Sequence, residues 1–149
     1  MIEMDWIKDW LTNRGGAIPP EIKLLPYQEQ WVMVPPEHVY DLIEELVSKT
    51  TVWHLSTITG QDTGESLEVL YHFWLGYGLT FCTRLSYAEP ALPSISPIIA
   101  GASFYEREIL EMLGITFHNL KDNSLLFLPE ALNKGWPLRK ETGAPNDPV

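Results

Sequence analysis

Three side chains in the middle of this chain have the chemistry of soft metal ligands: His54, His72 and Cys82. A Cys/His/His set is one that zinc accepts. The spacing does not bring them together by itself, because no two come from one tight turn as in a Cys-x-x-Cys motif. A sheet would have to do it. If two hairpins close symmetrically about their turns, the three share the less apolar face, with Cys82 opposite His72 and with Glu68 and Arg84 alongside. The competing reading is a structural or interfacial patch, the usual fate of scattered histidines. Other catalytic signals are absent. There is no Gly-rich phosphate loop, no iron–sulfur Cys-x-x-Cys and no nucleophile elbow, and Ser94 and Ser96 have no evident base beside them.

The elements that would position these residues follow from periodicity. Ile2, Trp6, Ile7, Trp10 and Leu11 recur at helical spacing, which predicts a helix over residues 3–13 stopped by Gly15-Gly16. Trp31 to Val34 reads as a short strand. Pro35-Pro36 then opens a helix to Ser48 with Val39, Leu42, Ile43, Leu46 and Val47 as its buried stripe. Thr51–Thr59, Glu65–Leu75 and Leu79–Tyr87 read as strands, separated by a loop at Gly60–Gly64 and a turn at Gly76-Tyr77-Gly78. Leu67, Val69, Tyr71, Phe73 and Leu75 make one apolar face, continued by Leu79, Phe81, Leu85 and Tyr87, and helices should cover it. Pro90, Pro93 and Pro97 make residues 89–97 a connector or surface arm. A helix from Ala102 to Leu113 closes at Gly114, a strand follows at Leu125–Leu128, and a Pro/Gly/Asp tail ends the chain. The expected fold is α+β: a single two-layer domain over residues 1–140, a mixed or mostly antiparallel sheet with helices on one face, an extended C-terminal arm, and a tail at 141–149.

On the wheel of the helix at 102–113, Glu106 falls inside the apolar arc of Tyr105, Ile109, Leu110, Met112 and Leu113. One reading puts it at a rim with its carboxylate in water. The other buries it, and a buried carboxylate must find a cation or several donors. Arg107 has Glu108 beside it and Glu111 one turn on, so Arg84 or Arg139 is the expected partner.

Composition narrows the class further. The 149 residues are 45% hydrophobic and 20% charged, which supplies one packed core and excludes wholesale disorder. Ten basic against twenty acidic residues leave a net charge of −10, which argues against nucleic acid or anionic lipid as the main partner. A lone cysteine fits a reducing compartment, and Glu3 and Asp5 stand where a signal peptide carries Lys or Arg. The uncharged stretch from Val69 to Thr83 is too short for a membrane span.

Three ordered blocks carry a resemblance. Tyr105-Glu106-Arg107-Glu108-Ile109-Leu110-Glu111-Met112-Leu113-Gly114-Ile115-x-Phe117 is followed by Leu126-Phe127-Leu128-Pro129-Glu130 and by Gly135-Trp136-Pro137-Leu138-Arg139-Lys140. Together they resemble the signature of the 30 kDa subunit of respiratory complex I, the NADH:quinone oxidoreductase, with counterparts in membrane-bound energy-converting hydrogenases. The signature region spans residues 104–140. The chain departs from it at His118-Asn119-Leu120-Lys121-Asp122, where the family usually has a Gly-His-Pro turn. It departs again at Met112-Leu113, where quinone-reducing members more often end in Phe, and both departures lean toward the hydrogenase-like branch or another divergent complex.

The resemblance implies a subunit of the peripheral arm that holds no cofactor and performs no chemistry itself. It implies packing against a large catalytic subunit and a small iron–sulfur subunit, with iron–sulfur clusters, and a nickel–iron centre in a hydrogenase, on those partners. It places the chain on the cytoplasmic side of the membrane as a peripheral component. Residues 135–140 are expected as a docking element with Arg139 as polar anchor, or as an internal strap with Arg139 neutralising Glu106. The alternatives to a structural subunit are an independent metalloprotein using His54, His72 and Cys82, or an assembly factor.

Overall fold

The computed structural model describes residues 5–15, 22–24, 29–51, 53–130 and 135–140. The expected tail at 141–149 and the start of the opening helix lie outside them. Helix α1 (Asp5–Gly15) buries Ile7 and Leu11, with Trp6 and Trp10 at the margin of the core. Strand β1 (Ile22–Leu24) pairs antiparallel with β2 (Gln30–Met33). The prolines after β2 set φ for a 3₁₀ turn at Pro36–His38, and helix α2 (Val39–Lys49) follows. Val39, Leu42, Ile43 and Leu46 form its buried stripe.

Strands β3 (His54–Asp62), β4 (Leu67–Trp74) and β5 (Gly78–Leu85) form an antiparallel meander. The sheet runs β1-β2-β5-β4-β3, and β2 lies parallel to β5, so it is mixed. Alternation along β4 and β5 points Leu67, Val69, Tyr71, Phe73, Leu79, Phe81 and Leu85 to one face, where they join the buried residues of all three helices in one core. Helices cover that face.

Helix α3 (Ala102–Leu113) buries Ala102, Glu106, Ile109 and Leu113 at helical spacing. Gly114 ends it at φ +67°, with its N–H on the Leu110 carbonyl at 2.9 Å. The helix packs on β3 at a place where only glycine fits. A Cβ on Gly60 would stand 2.6 Å from Leu113 Cδ1 and 3.1 Å from Ile109.

Three expectations change. The loop expected at Gly60–Gly64 is strand as far as Asp62, because Gly60 serves this close approach, and the turn falls at Thr63–Ser66, closed by Thr63 N–H to Ser66 O. The proline-rich connector contains β6 (Ala91–Pro93), which pairs parallel with β7 (Thr116–His118) in a second, two-stranded sheet. Leu125–Leu128 is no strand, since its backbone N–H groups are taken by a side chain of α3 (below).

Candidate functional site

The hairpin register separates the three soft ligands. Opposite His72 stands Thr80, and opposite Cys82 stands Leu70, because the β4–β5 turn centres on Gly76, one residue earlier than symmetry about Tyr77 requires. His54 faces Trp74, and a bulge between Leu55 and Thr57 shifts the β3 register beyond it. Among the described residues no three His, Cys, Asp or Glu side chains gather into a metal-holding group. His72 instead shares a hydrogen bond with Thr80 Oγ1 at 2.9 Å, and that hydroxyl reaches Glu29 at 3.3 Å. Burial lowers the pKa of the imidazole, against an opposing pull from the Glu29 charge. Glu68 and Arg84 do pair, at 2.7 Å, with Gln61 Nε2 donating a second bond to the carboxylate.

Glu106 is fully buried, as the wheel allows, and it has neither expected arginine. One carboxylate oxygen accepts from Ser94 Oγ at 2.6 Å and the other from the Ile95 N–H at 2.7 Å. Arg84 is committed to Glu68, and Arg139 lies at the far end of the helix. Burial pushes the Glu106 carboxyl above its ordinary range, partly offset by those two donors. Tyr71 lies in the same core with its hydroxyl buried and unbonded among the described residues. Burial, then the Glu106 charge, raises that phenol.

Arg107 finds its close partners in neither Glu108 nor Glu111. It reaches Asp122 at 3.3 Å and donates to the carbonyl and hydroxyl of Ser124. Glu111 accepts the backbone N–H groups of Leu126, Phe127 and Leu128 and so gathers the second signature block onto α3. Burial alone would raise this carboxyl. The three amides, with the Arg107 charge, outweigh it and hold the pKa low.

Asp62 does the same for the third block. It accepts from the Tyr87 hydroxyl, from the Gly64 N–H at 2.8 Å and from the Lys140 N–H at 2.7 Å. Here too burial raises the carboxyl, and the donors outweigh it and lower the pKa. The arm is further fixed by Leu138 N–H on the Met112 carbonyl at 3.1 Å and by Arg139 Nε on the Leu113 carbonyl at 2.6 Å. The Arg139 guanidinium stacks over Trp136 at 4.0 Å, and the indole covers Gly114 so closely that a Cβ there would collide with it. Arg139 thus caps the C-terminus of α3, where the helix's last carbonyls lack partners. The expected Arg139–Glu106 pair does not form.

Asp62 and Glu111 carry almost no signal in the sequence. Asp62-Thr63-Gly64 does have the form of an Asx turn, whereas the role of Glu111 depends on a loop folding back over it. Tyr105, half-buried, donates to the Ser56 carbonyl at 3.3 Å, and Glu108 makes no hydrogen bond or ion pair with any described residue. Pro137 is exposed beside Trp136 and Leu138.

These contacts leave a strip of apolar surface. Among the described residues five large apolar side chains are 43–58% exposed: Trp74, Phe104, Phe127, Trp136 and Leu138. All but Trp74 lie on α3 or on the two segments that α3 holds. Phe104 and Phe127 meet edge to face at 6.2 Å, Leu138 is tied to Met112, and Trp136 to Gly114. These side chains are spread along α3, which is about 18 Å long at 1.5 Å per residue. No helix among the described residues is long and apolar enough to cross a membrane.

The membrane-bound hydrogenase beta subunit of Pyrococcus furiosus is 32% identical over 127 residues, covering 80% of this chain and 73% of that one. The C/D subunit of the NADH-quinone oxidoreductase of Phocaeicola vulgatus is 35% identical over 115 residues, which cover 74% of this chain and 22% of the relative. Among solved structures, a chain of the membrane-bound sulfane sulfur reductase, an archaeal respiratory membrane complex, superposes with a TM-score of 0.72 at 19% identity, covering 91% of this chain and 82% of that one. Residues 32–147 match the family described as the 30 Kd subunit of respiratory-chain NADH dehydrogenase, and the chain belongs to that family.

Proposed function

We propose that this chain is a non-catalytic subunit of the peripheral arm of a membrane-associated electron-transfer complex, and that it packs against the large catalytic subunit and near the small iron–sulfur subunit. The apolar strip along α3 carries the proposal. Exposed aromatic and aliphatic groups are what a stable partner covers, and Phe104, Phe127, Trp136 and Leu138 lie within the signature region. A relative whose name joins two subunit letters, C and D, supports a neighbouring large subunit. On this reading iron–sulfur clusters, and a nickel–iron centre if the complex is a hydrogenase, belong to the partners, and the chain sits at the cytoplasmic side of the membrane.

The test is purification of the native complex from membranes. Stoichiometric copurification with the large subunit is expected through successive columns. Recovery as a lone monomer, or transient association of the kind an assembly factor shows, overturns the proposal.

A further inference from the structure

β3 is the last strand of its sheet, and only β4 pairs with it. Its outer edge makes no backbone–backbone hydrogen bond with any described residue, and the hydrogen bond that α3 makes there is the Tyr105 hydroxyl on the Ser56 carbonyl at 3.3 Å. Proteins usually guard such edges with lysine, proline or a bulge. Residues 54–62 contain neither lysine nor proline, and the bulge lies between Leu55 and Thr57, so the stretch from Thr57 onward carries none of these guards.

That stretch opens into a groove of about 290 Å³ between β3 and α3. Four consecutive residues, Thr57 to Gly60, form one wall, so the groove follows the strand's edge and is not confined to one face. Met112 and Leu138 form an apolar wall opposite. Glu108 lies beside them, half-buried and without a partner among the described residues. The nearest arginines are committed elsewhere, Arg107 to Asp122 and Ser124, Arg139 to the helix end and Trp136.

We infer that an extended segment of the large subunit adds to the edge of β3 along Thr57–Gly60, sets an apolar side chain against Met112 and Leu138, and pairs a lysine or arginine with Glu108. Strand addition supplies affinity through the main chain and selectivity through alternate side chains. Charge selects this occupant over a second copy of the chain, since each copy carries −10 and would bring a like charge toward the groove. Continuity selects it too, because Leu138 belongs both to the groove and to the apolar strip. The inference rests on the proposed docking of the large subunit.

The experiment uses the full chain, alone and co-expressed with the large subunit. Hydrogen exchange is followed in the peptide spanning residues 54–62. Amides of Thr57–Gly60 that exchange freely in the chain alone should slow by about a hundredfold in the complex. Glu108→Lys should weaken capture of the large subunit by about tenfold, while the same reversal at exposed Glu44 on α2 leaves capture within about twofold. A complex that forms with unchanged exchange at 57–60, or a Glu108→Lys chain that binds like the Glu44→Lys control, overturns strand addition and leaves the docking proposal standing. Protection that appears in the chain alone as concentration rises assigns the edge to a second copy and also overturns it. Failure of the wild-type chain to form any complex overturns the docking proposal and this inference together.

Discussion

Glu106 lies in the core with two donors and no cation, so its energetics turn on its proton. Its carboxyl is raised in the folded chain above its ordinary value. The folded state therefore binds the proton more tightly than the unfolded state does. The stabilisation from this group is complete below the ordinary carboxylate range and is lost as pH rises through the raised folded pKa. Glu106→Gln removes that dependence and still fits, with its amide oxygen on the Ile95 N–H and its NH₂ on Ser94 Oγ, which can accept. The stability of Glu106→Gln relative to wild type should rise from about pH 5 to about pH 8 in chemical denaturation; a constant difference would reject a raised pKa. Glu106→Ala strands both donors and should cost about 2–4 kcal/mol near pH 5, and less near pH 8, where the wild type has itself lost the stabilisation from this group. Burial of Glu106 was legible because helix periodicity fixes which side chains point inward. Its partners were not. One lies twelve positions back and the other is a backbone amide, which leaves no mark on residue type.

At the scale of elements, α3 is a spine to which two irregular segments are tied by carboxylates. Ala102–Leu113 was legible to the residue, from its periodicity and the glycine that closes it. The apolar run at 125–128 looks like a strand, yet Glu111 claims three of its amides and no ladder remains for them. Three-residue strands such as β1 and β7 are too short to show an alternation, so they were invisible. The arm at 135–140 answers the two readings of Arg139 in a third way, because the strap is internal but its anchors are Asp62 and the helix end. Asp62→Ala should therefore loosen the arm while leaving the sheet intact. Limited trypsin cleavage after Arg139 should accelerate about tenfold, with far-ultraviolet circular dichroism unchanged. Cleavage at the wild-type rate would show that Asp62 does not hold the arm. The same release should appear in the wild-type chain on acidification, because the Asp62 carboxyl is lowered and its contribution is lost as pH falls through the folded value.

For the whole molecule, shape and charge act at different ranges. The apolar strip acts only on contact, whereas a net charge of −10 is felt out to about a Debye length, which grows as salt is lowered. If the large subunit presents a basic face to this chain, association should slow by about tenfold between roughly 0.05 and 0.5 M salt, with a much smaller change in dissociation. Stopped-flow mixing of the two subunits measures both, and an association rate indifferent to salt would reject steering.

The parallel contact between β2 and β5 bears on how the molecule is made. Gln30 pairs with Leu79 and Met33 with Cys82, so β2 has no neighbour on that side until the whole meander has been synthesised. A nascent chain leaving the ribosome would carry α1, β1, β2 and α2 through the exit tunnel with their apolar stripes still open. The β3–β4–β5 meander is built from near-neighbour pairings and can close early. Docking β2 onto it must close a long loop, and non-local closures of this kind slow folding. The first third of the chain is thus the part a cell must shield during synthesis.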